Sequence, residues 1–168
     1  MGETLNPPLT EAGLPRRLGA LIYESLTVAA LLFAAGFAFA PFVSPSAALS
    51  GQLVVPSAAG RAAGAVALAA VLGAYFLWCW TGGRRTLPQK TWRLAIVDAC
   101  GTAPRAGRAL ARYTAGWLGP AAAIAVTSAT HSRYGALALA IPYAWALLDP
   151  DRRFLHDRLA GTRVIRRD

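Results

Sequence analysis

Four long stretches of the chain are almost free of charged residues. Leu18–Gly60 carries a single formal charge, at Glu24, and Ala62–Gly83 carries none. Tyr113–Thr130 and Tyr134–Leu148 are also uncharged. A helix needs roughly 20 mostly apolar residues to cross about 30 Å of hydrocarbon. The pattern therefore predicts an all-α membrane protein, built as a bundle of four transmembrane helices.

Charges and prolines at the ends of each apolar stretch set the boundaries of the predicted spans. The four helices are expected over residues 17–40, 61–82, 108–130 and 133–149. They form one transmembrane domain of residues 15–168, and residues 1–14 precede it as a flexible tail. The fourth span is short and contains Pro142, so its complete crossing stays an open question.

The connection between the second and third predicted spans has a different pattern. Trp92–Val97 is short and roughly alternating, and Asp98 and Gly101 after it supply turn chemistry. We expect a small cytoplasmic strand or hairpin here. Arg163–Arg166, near the C-terminus, is its candidate pairing partner.

Charge adds an orientation to this picture. The formal net charge is +9, and 15 of the 17 basic residues fall in the N-terminal segment, the second loop and the C-terminal tail. Four crossings place all three regions on one side, and the positive-inside rule makes that side cytoplasmic. We therefore expect both termini in the cytoplasm and contacts with anionic lipid headgroups. Nucleic acid is not an expected partner.

Glu24 is the one acid inside an apolar stretch. An ionisable side chain in a membrane span is costly, so it should face the helix bundle rather than lipid. Arg17 lies seven residues earlier on the same helix face, about 10 Å away along the axis. Because that is too far for an easy direct pair, Arg108 and Arg112 are the candidate partners. A protonated carboxyl is the alternative.

Each acidic position therefore allows a functional and a structural interpretation. Glu24 is either a carrier of protons or cations, or an acid paired with an arginine across a helix interface. His156 and Asp157 form either a proton relay, since histidine titrates near pH 6.5, or an interfacial link. In the second case Asp157 binds Arg17 or an arginine of residues 105–112.

Several segments resemble the RDD family of small bacterial membrane proteins. Residues 14–24, LPRRLGALIYE, resemble the family's opening, in which an arginine is followed seven residues later by an acid, usually aspartate; here the acid is Glu24. Residues 83–90, GRRTLPQK, are similar to a middle stretch with Thr before Gly-Lys, although Pro88 replaces a usual glycine. Residues 153–164, RFLHDRLAGTRV, resemble the closing His-Asp-x-x-Ala-Gly-Thr signature.

The resemblance implies a compact helical domain in the bacterial inner membrane, with Arg17, Glu24 and Asp157 in the Arg-Asp-Asp roles. Cation/proton exchange is suggested for some members of the family. The resulting hypothesis is a small, multi-pass cation/proton transporter. The alternative is a non-catalytic membrane subunit that binds or assembles a partner protein.

The predicted site is a charge cluster at the cytoplasmic edge of the membrane. It comprises Arg17, Glu24, Arg108, Arg112, His156 and Asp157. Lipid headgroups are expected at Arg84, Arg85, Arg105 and Arg153. We expect no enzyme active site, cofactor or metal, and we consider a homo-oligomer or a membrane protein partner.

Overall fold

The computed structural model describes residues 10–43 and 56–167, and these residues are mostly helical. The α-helices are α1 (Leu14–Val43), α2 (Ala58–Trp80), α3 (Leu87–Thr91), α4 (Ala106–Gly116), α5 (Leu118–Thr130), α6 (Ile141–Ala144) and α7 (Leu155–Ala160). The strands are β1 (Leu94–Asp98) and β2 (Thr162–Arg166). Two 3-10 segments cover Arg133–Ala140 and Trp145–Leu147.

Two helices are long and apolar enough to cross a membrane. They are Leu14–Phe42 within α1 and Ala58–Trp80, which is α2, and each has a mean hydropathy of 1.9. The α1 side chains Phe33 and Phe37 are each 78% exposed. Such exposure is costly in water and favourable in lipid, so it fits a helix whose outer face meets hydrocarbon.

The third predicted span, residues 108–130, is not one continuous helix. It consists of α4 and α5, which are separated at Trp117. Pro120 has no N–H to donate, and its ring clashes with the carbonyl four residues earlier, at Gly116, where α4 ends. A continuous helix over this span was therefore a wrong prediction, although its apolar residues remain helical.

The fourth predicted span, residues 133–149, is interrupted as well, and its crossing of the membrane stays a prediction. The 3-10 segment Arg133–Ala140 leads into α6, which has only four residues. Pro142 lies at the start of α6, where its missing N–H interrupts the series of helical backbone hydrogen bonds. The 3-10 segment packs closely on α5, since a Cβ on Gly135 would lie 2.6 Å from the Thr127 backbone nitrogen. A four-helix bundle is thus not confirmed.

The predicted strand pairing is present. β1 and β2 run antiparallel, in a register that pairs Leu94 with Arg166 and Asp98 with Thr162. Glu11 adds an isolated bridge to β2, and Arg166 donates its backbone N–H to the Thr10 carbonyl at 2.9 Å. The end of the tail predicted to be flexible is therefore fixed from Thr10 onward, while residues 1–9 and the predicted external loop at 44–55 lie outside the described residues.

The sheet is positioned by its contact with the first two helices. Leu94, Ile96 and Val164 form one core cluster with Ala20 of α1, and Trp80 of α2 packs against it. α1 also packs on α3. These contacts bring the sheet beneath the ends of α1 and α2, which is where the charged residues converge.

Candidate functional site

A buried ion pair joins α4 to the C-terminal segment. Arg112, which is only 7% exposed, forms an ion pair with Asp157 through Nη1 and Oδ1. The same Nη1 donates a hydrogen bond to Thr162 Oγ1 at 3.0 Å. Trp80 lies beneath the guanidinium, with its ring centroid 5.1 Å from Arg112 Cζ. We call Arg112, Asp157 and Thr162 the clamp.

The local fold explains why Asp157 and Thr162 reach the same arginine. α7 is six residues long and ends at Gly161, whose φ of +62° favours glycine. This left-handed residue reverses the chain directly into β2, so Thr162 returns beside the helix that carries Asp157. Both side chains are completely buried. The role of Thr162 was not predicted, although it closes the His-Asp-x-x-Ala-Gly-Thr segment.

Glu24 is held by the middle loop rather than by an arginine. Thr86 Oγ1 donates a hydrogen bond to Glu24 Oε2 at 2.7 Å. Thr86 also starts α3: its backbone N–H donates to Gln89 Oε1 at 3.0 Å, and Gln89 donates its N–H to Thr86 Oγ1 at 3.3 Å. Thr-x-x-Gln is the sequence signature of such a capping box. That signal could have identified Thr86, which the sequence analysis missed.

Arg17 is buried without an ion-pair or hydrogen-bond partner for its guanidinium in the described part of the chain. It is 5% exposed, and its Cζ lies 5.5 Å from the centroid of the Phe154 ring. Among the described residues, none forms an ion pair or accepts a hydrogen bond from its guanidinium, and its Nε is buried and unsatisfied. Glu11 and Asp149 act on Arg17 electrostatically without contact.

His156 lies beside the clamp in an aromatic environment. Its ring is 5.9 Å from Tyr143 and 5.6 Å from Phe154, measured between centroids, and its Nε2 is 3.8 Å from Asp157 Oδ1. Burial, and after it the positive charge of Arg112, holds the pKa of His156 well below its usual value of 6.5. The imidazole is therefore neutral at pH 7.

Arg108 lies outside the cluster in which it was predicted. It is exposed, and its Nη1 lies 3.6 Å from Asp98 Oδ2 at the end of β1. The pKa of Asp98 is below its usual value because the backbone N–H of Thr102, then that of Cys100, donate to its carboxylate; Arg108 adds a smaller effect. Asp98 therefore offers Arg108 a stable anion away from Glu24.

The four arginines predicted to meet lipid headgroups have different surroundings. Arg84 and Arg105 are exposed, and Arg85 is half-buried. The Nε of Arg84 donates a hydrogen bond to the Trp78 carbonyl oxygen at 2.7 Å. Headgroup contacts at these three arginines stay a prediction. Arg153 differs, because its side chain is only 13% exposed and its Nε lies 3.6 Å from Asp149 Oδ2.

A cavity of about 460 Å³ connects these groups. Its lining includes Arg17, Glu24, Arg112 and His156, and Asp157 lies behind Arg112. Gln89 also lines it. Glu24 Oε1 is buried and has no hydrogen-bond partner in the described part of the chain. The structure thus brings together five of the six residues predicted to cluster.

Comparison with known proteins fits this arrangement. The sequence profile of the RDD family matches residues 11–161, which is most of the chain. The chain belongs to the RDD family. The RDD match includes Arg17, Glu24, Arg112 and Asp157. Neither the curated proteins nor the solved structures contain a match. RDD membership and the two long apolar helices make this chain a membrane protein.

Proposed function

We propose that this RDD protein is a small transporter in which Glu24 exchanges a proton for a cation. The observation that carries the proposal is the unequal environment of the two carboxylate oxygens. Oε2 is fixed by Thr86, whereas Oε1 is buried and has no partner in the described residues, and Glu24 is one of the residues that line the cavity. An acid within a membrane span is a functional candidate by default, since its burial is costly.

The exchange of a proton for a cation takes place at one carboxyl group and leaves the net charge of the site unchanged. A cation that binds beside the protonated acid releases the proton, so the charge of the site is the same before and after. Arg112 acts electrostatically on Glu24, and it shares its own charge with Asp157. The clamp thereby limits the repulsion that an approaching cation meets.

A topology with four crossings, both termini cytoplasmic and the bacterial inner membrane as location belongs to the same proposal. Thr10 and Glu11 contact β2, and β2 pairs with β1, so the described ends of the chain and the middle loop lie together. This supports an even number of crossings. α4 with α5, and residues 133–147, would be the two broken spans, because irregular backbone is tolerated at membrane depth where it is buried in protein or lines a cavity.

The test is cation-dependent proton movement in sealed proteoliposomes. A preset pH gradient is imposed, and its collapse is followed after addition of sodium, lithium or potassium. We expect the wild type to dissipate the gradient with at least one of these cations and Glu24→Gln to be at least about tenfold slower. Asp151→Asn, an acid-to-amide change in an exposed turn, is the matched control and should behave as wild type.

A non-catalytic membrane subunit is the second candidate. It is favoured by the fact that Glu24–Thr86 and Arg112–Asp157 each join segments far apart in the chain, as purely structural contacts do. In that case the folded wild type shows no cation-dependent signal, and Glu24→Gln changes stability alone. The same proteoliposome experiment therefore separates the two candidates.

A further inference from the structure

The unpaired guanidinium of Arg17 calls for an anion that the described residues do not supply. An uncompensated buried charge is strongly unfavourable, so such groups are normally paired. Arg17 lines the cavity with its Nε buried and unsatisfied. Arg112 lines the same cavity and is close enough to act on Arg17's charge. Two arginines therefore line one cavity, and of the two only Arg112 has a carboxylate of a described residue in contact.

The shape of the cavity adds a second requirement. One face of α1 lines it along its length, at Arg17, Ala20, Leu21, Glu24, Ser25, Val28 and Leu32. At 1.5 Å per residue, Arg17 and Leu32 are about 22 Å apart along the helix. Beyond Glu24 and Ser25 the wall is apolar, with Val28, Leu32 and Pro120 at that end. The cavity is thus long, with charge at one end and hydrocarbon at the other.

We infer that this cavity binds an amphipathic anion with a single acyl chain, whose acidic head lies between Arg17 and Arg112. A planar guanidinium pairs well with either a carboxylate or a phosphate. The apolar end accommodates the chain, and one acyl layer of a bilayer spans about 15 Å, half of a roughly 30 Å core. The cavity of about 460 Å³ is smaller than the two chains of a phospholipid. The inference does not depend on proton exchange at Glu24.

The direct test is equilibrium binding of radiolabelled oleate to the purified full-length protein in a nonionic detergent at pH 8. We expect saturable binding at one site. Oleyl alcohol, which has the chain without the charge, and inorganic phosphate, which has charge without the chain, should compete at least about tenfold more weakly than unlabelled oleate. Dodecyl phosphate should compete. Stronger competition by dodecyl phosphate than by oleate would identify a phosphate-headed lipid as the natural source. Stronger competition by oleate would identify a free fatty acid.

Two variants locate the site. Arg17→Gln should weaken oleate binding by about tenfold or more, whereas Arg133→Gln, which changes an exposed arginine at the start of the first 3-10 segment, should leave it unchanged. Val28→Trp fills the middle of the apolar half and should also abolish binding, even if Arg17→Gln fails to fold. Equal binding of oleate and oleyl alcohol would overturn the inference. Unchanged oleate binding in folded Arg17→Gln or in folded Val28→Trp would overturn it as well.

Discussion

The two buried arginines of this protein differ in how their charges are satisfied. Arg112 forms an ion pair with Asp157, donates a hydrogen bond to Thr162 and lies over Trp80, so its charge is balanced by a described residue even though its Nε has no hydrogen-bond partner among them. Arg17 is buried to a similar extent, but among the described residues none forms an ion pair or a hydrogen bond with its guanidinium, which lies near the Phe154 ring. Burial alone therefore does not distinguish a structural arginine from one that is available to a ligand.

Glu24 resembles Arg17 in this respect, because one of its oxygens is unsatisfied. Asp157 resembles Arg112, since its carboxylate is completely buried against a guanidinium. The clamp fixes α4 to the C-terminal segment through an ion pair, whereas Arg17 and Glu24 on α1 have no ion-pair partner among the described residues. A buried charge without a partner favours binding of an oppositely charged ligand, which is what exchange and binding require.

The largest expected effect contrasts the two arginines directly. Arg112→Met leaves the buried Asp157 carboxylate without its partner and should lower the free energy of unfolding by about 3–5 kcal/mol. Arg17→Met keeps the packing of the stem and removes an unpaired charge, so it should change that free energy by less than about 1 kcal/mol, or raise it.

Both variants are measured by denaturant unfolding of purified protein in the same detergent, without added lipid. Equal losses of stability for the two arginines would contradict the proposed difference between them. A large loss for Arg17→Met alone would show that Arg17 has an essential structural contact.

A smaller effect tests how closely α1 approaches the middle loop. A Cβ on Gly19 would lie 2.6 Å from Trp92 Cη2, so Gly19→Ala must displace the indole and should cost about 1–3 kcal/mol. Gly36→Ala on the same helix meets no atom within 4 Å and should be neutral or slightly stabilising. The thermal midpoints of both variants provide the measurement, and equal midpoints would show that the loop does not press on α1 at Gly19.

The smallest expected effect is the pH dependence that His156 contributes. Its folded pKa is depressed, whereas in the unfolded chain histidine titrates near 6.5. Below pH 6.5 the unfolded state gains a proton that the folded state does not, so stability falls as the pH falls. Between pH 7.5 and 5.5 this contribution is about 1 kcal/mol.

Unfolding of the wild type and of His156→Gln across this pH range isolates the contribution. His156→Gln should show a shallower loss of stability on acidification. His131→Gln, in the exposed turn after α5, is the matched control. Identical slopes for His156→Gln and wild type would show that His156 is accessible to protons in the folded state.

The apolar pattern predicted the first two helices well. α1 and α2 each begin three residues before the predicted spans at 17 and 61. The same pattern did not predict the interruptions in the two later spans, because an uncharged segment can be apolar throughout without being one continuous helix. Pro120 and Pro142 disrupt the backbone ladder without changing hydropathy. Their positions were visible in the sequence, but their consequence depended on how the broken segments pack.

Side-chain partners were harder to predict than segments. Arg108 and Arg112 lie one turn apart on α4, so spacing alone made both of them candidate partners of Glu24. The turn after β1 decides between them, because it presents Asp98 to Arg108 and leaves Asp157 to Arg112. Only the fold reveals that Arg17 forms no ion pair with a described residue, since the sequence alone left Asp157 as its candidate partner.

Proton release from the purified protein tests the central claim that Glu24 exchanges a proton with a cation. Sodium, lithium or potassium is added to weakly buffered protein in detergent, and a pH indicator follows the solution. The account predicts a saturable release of protons by the wild type that is absent from folded Glu24→Gln. Equal release by Glu24→Gln, or no release by the folded wild type with any of the three cations, would contradict it.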